Sequence, residues 1–147
     1  EQAFAALLER TDTFIFDCDG VLWTSEKPIA GAFDAVQRLV ARGKRVLYLS
    51  NNSTKTRAAY VDKFARVAPA LQPQPALDAI YPTSTATAEY LRSTNHVGKV
   101  FVLGAQGLRD EVAAAGFTLD DAVVRELEAR TAPGVPTDWA EIGALRA

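Results

Sequence analysis

The 147-residue sequence contains one cysteine, one histidine and no methionine. A single cysteine cannot form an intramolecular disulfide, so a reducing, cytoplasmic setting is expected. Cys18 is predicted to be a small buried residue on the strand face opposite its acidic neighbours, not a nucleophile. The single histidine, His96, has no second histidine and no cysteine near it, which excludes a zinc site of the His/Cys type at this position.

A basic surplus and long apolar stretches are also missing. The 16 lysines and arginines are balanced by 18 aspartates and glutamates, giving a net charge of −2, which indicates no electropositive surface for nucleic acid. No apolar run reaches the ~18 residues of a membrane-spanning helix, and no signal-peptide pattern opens the chain. The composition is typical of a globular domain, and we expect neither nucleic acid nor a membrane among the partners.

The most informative stretch is an apolar strand that ends in two acids. Thr13–Phe16 is β-branched and aromatic, as suits a strand buried in a parallel sheet, and Asp17, Cys18, Asp19 and Gly20 follow it directly. Side chains alternate along a strand, so Asp17 and Asp19 project to the same side if the extended geometry persists. Because two adjacent carboxylates repel each other unless a cation or a shared proton intervenes, this stretch predicts a binding site.

The alternative is a solvated turn, because Asp and Gly are common turn residues. A second strand weighs against it: Val46–Leu49 is apolar and ends in Ser50, Asn51, Asn52 and Ser53. Two parallel strands joined by a helical crossover bring their carboxyl ends side by side. Taken alone, this polar run is more typical of a turn and a helix cap. Its pairing with the two acids favours one shared pocket.

The remaining pattern alternates helices with strands, which indicates an α/β fold. Helices are predicted at residues 2–10, 31–42, 56–67, 83–91 and 106–115, with a final one from Asp138, and strands at 13–16, 46–49, 79–82 and 99–103. Ser53 is predicted to cap the third helix. Gly43 and Gly116 are predicted to end the second and fifth helices.

Residues 16–23, Phe-Asp-Cys-Asp-Gly-Val-Leu-Trp, and residues 48–57, Tyr-Leu-Ser-Asn-Asn-Ser-Thr-Lys-Thr-Arg, form two specific motifs. They resemble the haloacid dehalogenase superfamily, in the branch of p-nitrophenylphosphate, phosphoglycolate and pyridoxal-phosphate phosphatases with a C2-type cap. The similarity extends from Thr13 to Leu119. The resemblance implies a Rossmann-like parallel sheet in residues 1–94, the beginning of an α/β C2 cap in residues 95–147, and a hairpin flap at residues 21–28.

The resemblance also implies a role for each polar residue of the two motifs. Asp17 would be the nucleophile that forms an aspartyl-phosphate, and Asp19 would be the general acid/base. Mg²⁺ would be bound by the side chain of Asp17 and the backbone carbonyl of Asp19. The phosphate would be bound by Gly20, Ser50, Asn51 and Asn52. An alternative for Asn52 is to shape the loop by bonding its own backbone. The implied function is Mg²⁺-dependent hydrolysis of a small phosphorylated metabolite.

Two parts of the family pattern are not found: the lysine of the third motif and the acidic, metal-binding fourth motif. Lys55 lies within the second motif, whereas the family's lysine comes from later in the chain, so Lys55 is not a replacement. Asp120 and Asp121 lack the preceding strand-Gly-Asp context and are predicted to form a solvated turn. The chain starts at Glu1 and not at a methionine. We therefore expect the first half of a longer phosphatase, inactive by itself. The sequence leaves the oligomeric state open, and a homodimer through the cap is one arrangement that the resemblance implies.

Two other functions stay open. Dehalogenase-type hydrolysis on the same fold is disfavoured by Asp19, because an acid at that position is associated with phosphoryl transfer. A receiver-like or scaffold module would keep the acids and Mg²⁺ without turnover.

Overall fold

The computed structural model describes residues 2–122, 125 and 126, with side chains from Ala5 onward. The elements in chain order are α1 (Gln2–Arg10), β1 (Thr13–Asp17), β2 (Trp23–Thr24), β3 (Lys27–Pro28), α2 (Ala32–Ala41), β4 (Arg45–Ser50), α3 (Arg57–Val67), β5 (Ile80–Pro82), α4 (Thr83–Ser93) and α5 (Gln106–Ala114). The five helices predicted up to residue 115 are confirmed to within two residues at each end. The same holds for the first three predicted strands, which are β1, β4 and β5. The helix predicted from Asp138 lies outside the described residues. None of the described helices is long and apolar enough to cross a membrane.

A three-stranded parallel sheet, in the order β1-β4-β5, confirms the α/β class. The register aligns Asp17 with Leu49 and Ser50 with Pro82, so all three strands end at the same edge. Polar residues at the ends of β1 and β4 are thereby brought to this edge, as predicted from the two motifs. Strands β2 and β3 form a separate antiparallel hairpin, which confirms the hairpin expected within residues 21–28.

One face of the sheet carries the core. Phe14 and Phe16 of β1 and Val46 and Tyr48 of β4 alternate onto this face, where α2 and α3 pack. Trp23 of the hairpin is fully buried among the aromatic rings of this core. The aromatic residues in mutual contact are Trp23, Phe33, Tyr48, Tyr60 and Phe64. The hairpin therefore contributes Trp23 to the core that it shares with α3, while residues 24–28 are exposed.

The opposite face of the sheet is exposed in the described part of the chain. Ile15 of β1 is 60% exposed, and Leu49 is 44% exposed although it lies on the central strand β4. Tyr81, which pairs with Leu49, extends the same face. Asp17 alternates onto this side with Ile15, so its carboxylate lies at the end of the exposed face.

The start of α3 differs from the prediction. Thr56, and not Ser53, is the N-cap, and its Oγ1 accepts a hydrogen bond of 3.1 Å from the Ala59 N–H. Residues 52–54 form an Asx turn, in which Asn52 Oδ1 accepts a hydrogen bond of 2.8 Å from the Thr54 N–H. This turn delays the helix until residue 57.

The strand predicted at residues 99–103 is also wrong in extent. Val100 forms a single parallel bridge with Leu119, supported by two backbone hydrogen bonds of 2.9 Å. A strand needs a ladder of successive pairs, and in the described residues Phe101 and Leu103 stay exposed. The apolar run alone did not distinguish a ladder from one bridge.

Helix α5, which the predicted domain boundary assigns to the cap, packs along α4. Glu111 accepts hydrogen bonds from the Arg57 N–H at the start of α3 and from Thr85 Oγ1 of α4. Gly107 lies so close to the Thr54–Lys55 backbone that a Cβ atom would collide with the Thr54 carbonyl. The boundary at residues 94 and 95 stays a prediction.

Gly107→Ala in the full-length protein is expected to lower the free energy of unfolding by about 1–3 kcal/mol, the usual cost of overpacking. By helix propensity alone the same change would stabilise by about 1 kcal/mol, so the sign of the effect is decisive. Urea unfolding measures it. Asp110→Ala, at an exposed site of the same helix, is the control and should change stability by less than about 0.5 kcal/mol. Stabilisation by Gly107→Ala would contradict the close approach.

Candidate active site

Asp17 is the last residue of β1 and is exposed. Its Oδ1 accepts a hydrogen bond of 2.7 Å from the Cys18 N–H. The carboxylate borders a cavity of about 700 Å³ that is also lined by Ser50, Asn51, Leu49, Tyr81 and Thr83. The cavity therefore has a carboxylate, a hydroxyl and an amide on its polar side and the exposed sheet face as its apolar wall.

Asp19 does not continue the line of β1. The extended geometry ends at Asp17, and the next residues turn: the Leu22 N–H donates to the Cys18 carbonyl at 2.9 Å, and Gly20 has a φ of +85°. The condition for two carboxylates on one strand face is therefore not met. Asp19 contacts α3 instead, because Lys63 Nζ lies 3.8 Å from its Oδ1.

Ser50 connects the two strand ends. It is buried, and its Oγ lies 2.8 Å from the Tyr60 hydroxyl and donates to Asp19 Oδ2 at 3.2 Å. The Asn52 N–H donates to Ser50 Oγ at 3.2 Å. Burial raises the pKa of Tyr60 above its ordinary value, so the phenol stays protonated at neutral pH and can donate to Ser50. The predicted proximity of the two motifs is therefore observed as a contact between Asp19 of the first motif and Ser50 of the second.

The other predicted phosphate ligands have different surroundings. Asn51 is exposed at the cavity, and its carbonyl accepts from Thr83 Oγ1 at 3.0 Å. The side-chain oxygen of Asn52 accepts from the Thr54 N–H and Oγ1, the loop-shaping role considered for it. The Gly20 N–H donates to the Trp23 carbonyl at 2.7 Å. Of the three, Asn51 has the side chain best placed to meet a ligand.

Three residues that the sequence analysis did not assign to the site surround Asp19. Trp23 Nε1 donates to its Oδ1 at 2.9 Å, Tyr60 reaches it through Ser50, and Lys63 supplies a positive charge. A signal for Lys63 is present in the sequence: it lies one residue before Phe64 and three after Tyr60, on the helix face that these two aromatic residues bury. A charged residue on a buried helix face needs a partner.

Cys18 is fully buried, as predicted. Burial, with a smaller contribution from the charges of Asp19 and Asp17, raises the pKa of its thiol to about 12. The thiol is therefore protonated at neutral pH, and the thiolate that a nucleophile requires is absent. This excludes cysteine-based nucleophilic catalysis at this position.

Oxygen donors for a hard cation lie at the end of β1. Asp17 Oδ2 has no hydrogen bond from the described residues, and neither has the backbone carbonyl of Asp19. Carboxylate and carbonyl oxygens are the ligands that Mg²⁺ prefers, so these groups fit the ion. Within the described ranges, no group of three or more His, Cys, Asp or Glu side chains is arranged to hold a metal.

Asp120 and Asp121 do not form an open acidic pair. Asp121 binds Arg109 Nη2 at 2.6 Å, and the Asp120 N–H donates to the Val100 carbonyl. The prediction of a solvated turn is therefore wrong for Asp121, because its carboxylate forms an ion pair with Arg109 of α5. Arg109 lies 12 residues earlier, outside the local sequence that determines a turn.

Comparison with known proteins gives consistent matches. Residues 14–118 match the family model described as haloacid dehalogenase-like hydrolase. The chain is 38% identical to the 4-nitrophenylphosphatase of Schizosaccharomyces pombe over 77% of its length, and 38% identical to phosphoglycolate phosphatase 2 of Arabidopsis thaliana over 78% of its length. Each match covers 38% of the relative.

Solved structures agree with the sequence matches. The p-nitrophenyl phosphatase from Archaeoglobus fulgidus superposes with a TM-score of 0.67 at 29% identity, covering 75% of this chain and 41% of that one. The chain thus spans about two fifths of the length of the proteins that it matches. The fold and the family follow from these likenesses.

Proposed function

The chain belongs to the haloacid dehalogenase-like hydrolases, and on this premise we propose that the whole protein is a Mg²⁺-dependent phosphatase of small phosphomonoesters. The names of its relatives, 4-nitrophenylphosphatase and phosphoglycolate phosphatase, support phosphomonoesters as the substrate class. A small phosphorylated metabolite is the proposed physiological substrate.

The observation that carries the proposal is the exposed carboxylate of Asp17 at the carboxyl edge of the parallel sheet. It faces a cavity of about 700 Å³, which has room for a small phosphorylated metabolite. Open α/β sheets bind ligands at this edge. A carboxylate there is accessible to a phosphorus atom, whereas the buried and protonated Cys18 is not.

Asp17 and Asp19 divide the covalent chemistry. In the first step an Asp17 oxygen bonds to phosphorus, the bond between phosphorus and the ester oxygen breaks, and the leaving oxygen takes a proton from Asp19. In the second step water, deprotonated by Asp19, attacks phosphorus and the bond to Asp17 breaks, releasing inorganic phosphate. Both carboxyl groups return to their starting state, so the reaction balances.

Charge on the phosphoryl oxygens needs stabilisation during both steps. The side chain of Asp17 and the backbone carbonyl of Asp19 are the groups of the described chain that would hold Mg²⁺, which when bound neutralises that charge. Asn51 is the proposed amide donor to the phosphoryl oxygens. Ser50, whose single O–H donates to Asp19 Oδ2 in this structure, stays a prediction as a phosphate ligand, together with Gly20 and Asn52.

Three broader predictions are kept as proposals. A cytoplasmic location is supported by the single cysteine, which is free and buried. A C2-type cap beginning near residue 95, and a homodimer formed through it, rest on the resemblance of the two motifs.

The full-length protein is expected to hydrolyse p-nitrophenyl phosphate in millimolar Mg²⁺ and to lose this activity in EDTA, because the phosphoryl charge is then unshielded. Excess Mg²⁺ should restore it. The measurement is release of p-nitrophenolate, with chloride release from 2-chloropropionate as the comparison that tests the dehalogenase alternative. Undiminished hydrolysis in EDTA, or chloride release without phosphatase activity in a folded protein, would contradict the proposal.

A further inference from the structure

Lys63 is a buried cation next to the proposed active site. The residue is only 4% exposed, although it lies in a helix whose other charged residues face solvent or the helix ends. Its ammonium group lies 4.3 Å from the centre of the Trp23 ring. Burying an ammonium group is unfavourable unless negative charge or an aromatic face compensates it. The position of Lys63 is therefore determined by its neighbours.

Two carboxylates flank this ammonium group. Asp19 Oδ1 lies at 3.8 Å and Glu26 Oε1, at the tip of the β2–β3 hairpin, lies at 4.0 Å. Both distances exceed those of a direct hydrogen bond, so Lys63 acts as a point charge between them. One partner belongs to the proposed site and the other to the hairpin, and Lys63 attracts both to α3.

The carboxylate of Asp19 is held at both oxygens. Oδ1 accepts the Trp23 indole N–H and faces Lys63, while Oδ2 accepts from Ser50. Trp23 packs against Lys63 through its ring and binds Asp19 through its N–H. Removing the ammonium group would leave Asp19 Oδ1 with one neutral donor and Glu26 with only the exposed Arg66 as a cationic neighbour.

We propose that Lys63 is a positioning residue, which orients the carboxyl group of Asp19 for proton transfer and links this orientation to the β2–β3 hairpin. The inference rests on the proposed function, in which Asp19 protonates the leaving group. Lys63 acts through Asp19 and does not contact the substrate.

The test is Lys63→Met in the full-length protein, because methionine keeps the length of the side chain and its packing on Trp23. The value of kcat/KM is measured for phosphoglycolate, whose alkoxide leaving group needs a proton, and for p-nitrophenyl phosphate, whose leaving group does not. A misplaced catalytic group costs up to about 10²-fold. We expect a loss of about 10- to 100-fold with phosphoglycolate and less than about threefold with p-nitrophenyl phosphate. The ratio of the two losses is independent of the folded fraction, since both substrates use one preparation.

Two further variants separate positioning from a structural role. Arg66→Met removes the exposed cation 3.7 Å from Glu26, one turn further along α3 and without contact to Asp19; it should change both substrates by less than about twofold. Lys63→Met added to Asp19→Asn should cost less than about threefold, because the group that Lys63 positions is already lost.

The outcomes distinguish this inference from the proposed function. Equal losses on both substrates, no loss, or a full additional loss in the Asp19→Asn background would overturn the positioning role while wild-type hydrolysis leaves the function intact. A wild-type protein that hydrolyses neither ester overturns the proposed function first, and the role of Lys63 with it.

Discussion

Asp17→Asn in the full-length protein will abolish phosphomonoester hydrolysis and leave the fold unchanged. An amide cannot form the acyl-phosphate, and loss of a nucleophile costs about 10⁴–10⁶ in kcat in covalent catalysts. The structural role of Asp17 is small: it is exposed, and its Oδ1 accepts from the Cys18 N–H, a contact that the carbonyl oxygen of asparagine retains. Thermal unfolding should therefore be close to that of the wild type.

The measurement is the rate of p-nitrophenolate release, followed to the limit set by contaminating phosphatases. Asp34→Asn is the matched control, because Asp34 is an exposed acid in the first turn of α2 and should keep wild-type activity. A rate for Asp17→Asn above a trace of the wild-type rate, in protein purified free of host phosphatase, would show that another group attacks phosphorus.

Asp19→Asn is expected to lower kcat/KM for phosphoglycolate by about 10²–10⁴, the usual contribution of a general acid/base. The loss should shrink to less than about tenfold with p-nitrophenyl phosphate, because a good leaving group departs without a proton. The parameter kcat/KM is the informative one, since it covers the steps through transfer to Asp17 and omits the later hydrolysis common to both substrates. The side-chain oxygen of asparagine can still accept a hydrogen bond from Trp23 Nε1, so the contact between the hairpin and residue 19 is retained.

A plot of log kcat/KM against leaving-group pKa, for a series of aryl and alkyl phosphates, measures whether Asp19 protonates the leaving group. The variant should have a steeper slope than the wild type. Parallel lines would mean that Asp19 holds the metal or the loop and transfers no proton.

The residues at the carboxyl edge of the sheet could be predicted from the sequence, because the patterns that determine where each strand ends are local. Thr13–Phe16 and Val46–Leu49 are continuous apolar runs, each stopped by polar residues, and the helical segment between them fits a parallel crossover. These patterns placed Asp17 and Ser50 at the same edge of the sheet, where the structure has them.

The surroundings of Asp19 could not be predicted in the same way. Its direction depends on the turn after β1 and on the packing of α3, which brings Lys63 to it across 44 positions of the sequence. The alternation rule for strands applied only up to Asp17, because Gly20 and the following turn end the extended backbone. The contact of Gly107 with the Thr54 carbonyl likewise depends on how closely two backbones approach.

The burial of Trp23 has an optical consequence. Its indole ring is shielded from water, lies beneath an ammonium group and is hydrogen-bonded to Asp19. Indole emission shifts to longer wavelength when water reaches the ring, and it responds to nearby charge. Once the second tryptophan of the sequence is removed by Trp139→Phe, the emission of Trp23 therefore reports whether the hairpin is docked on α3, without an added label.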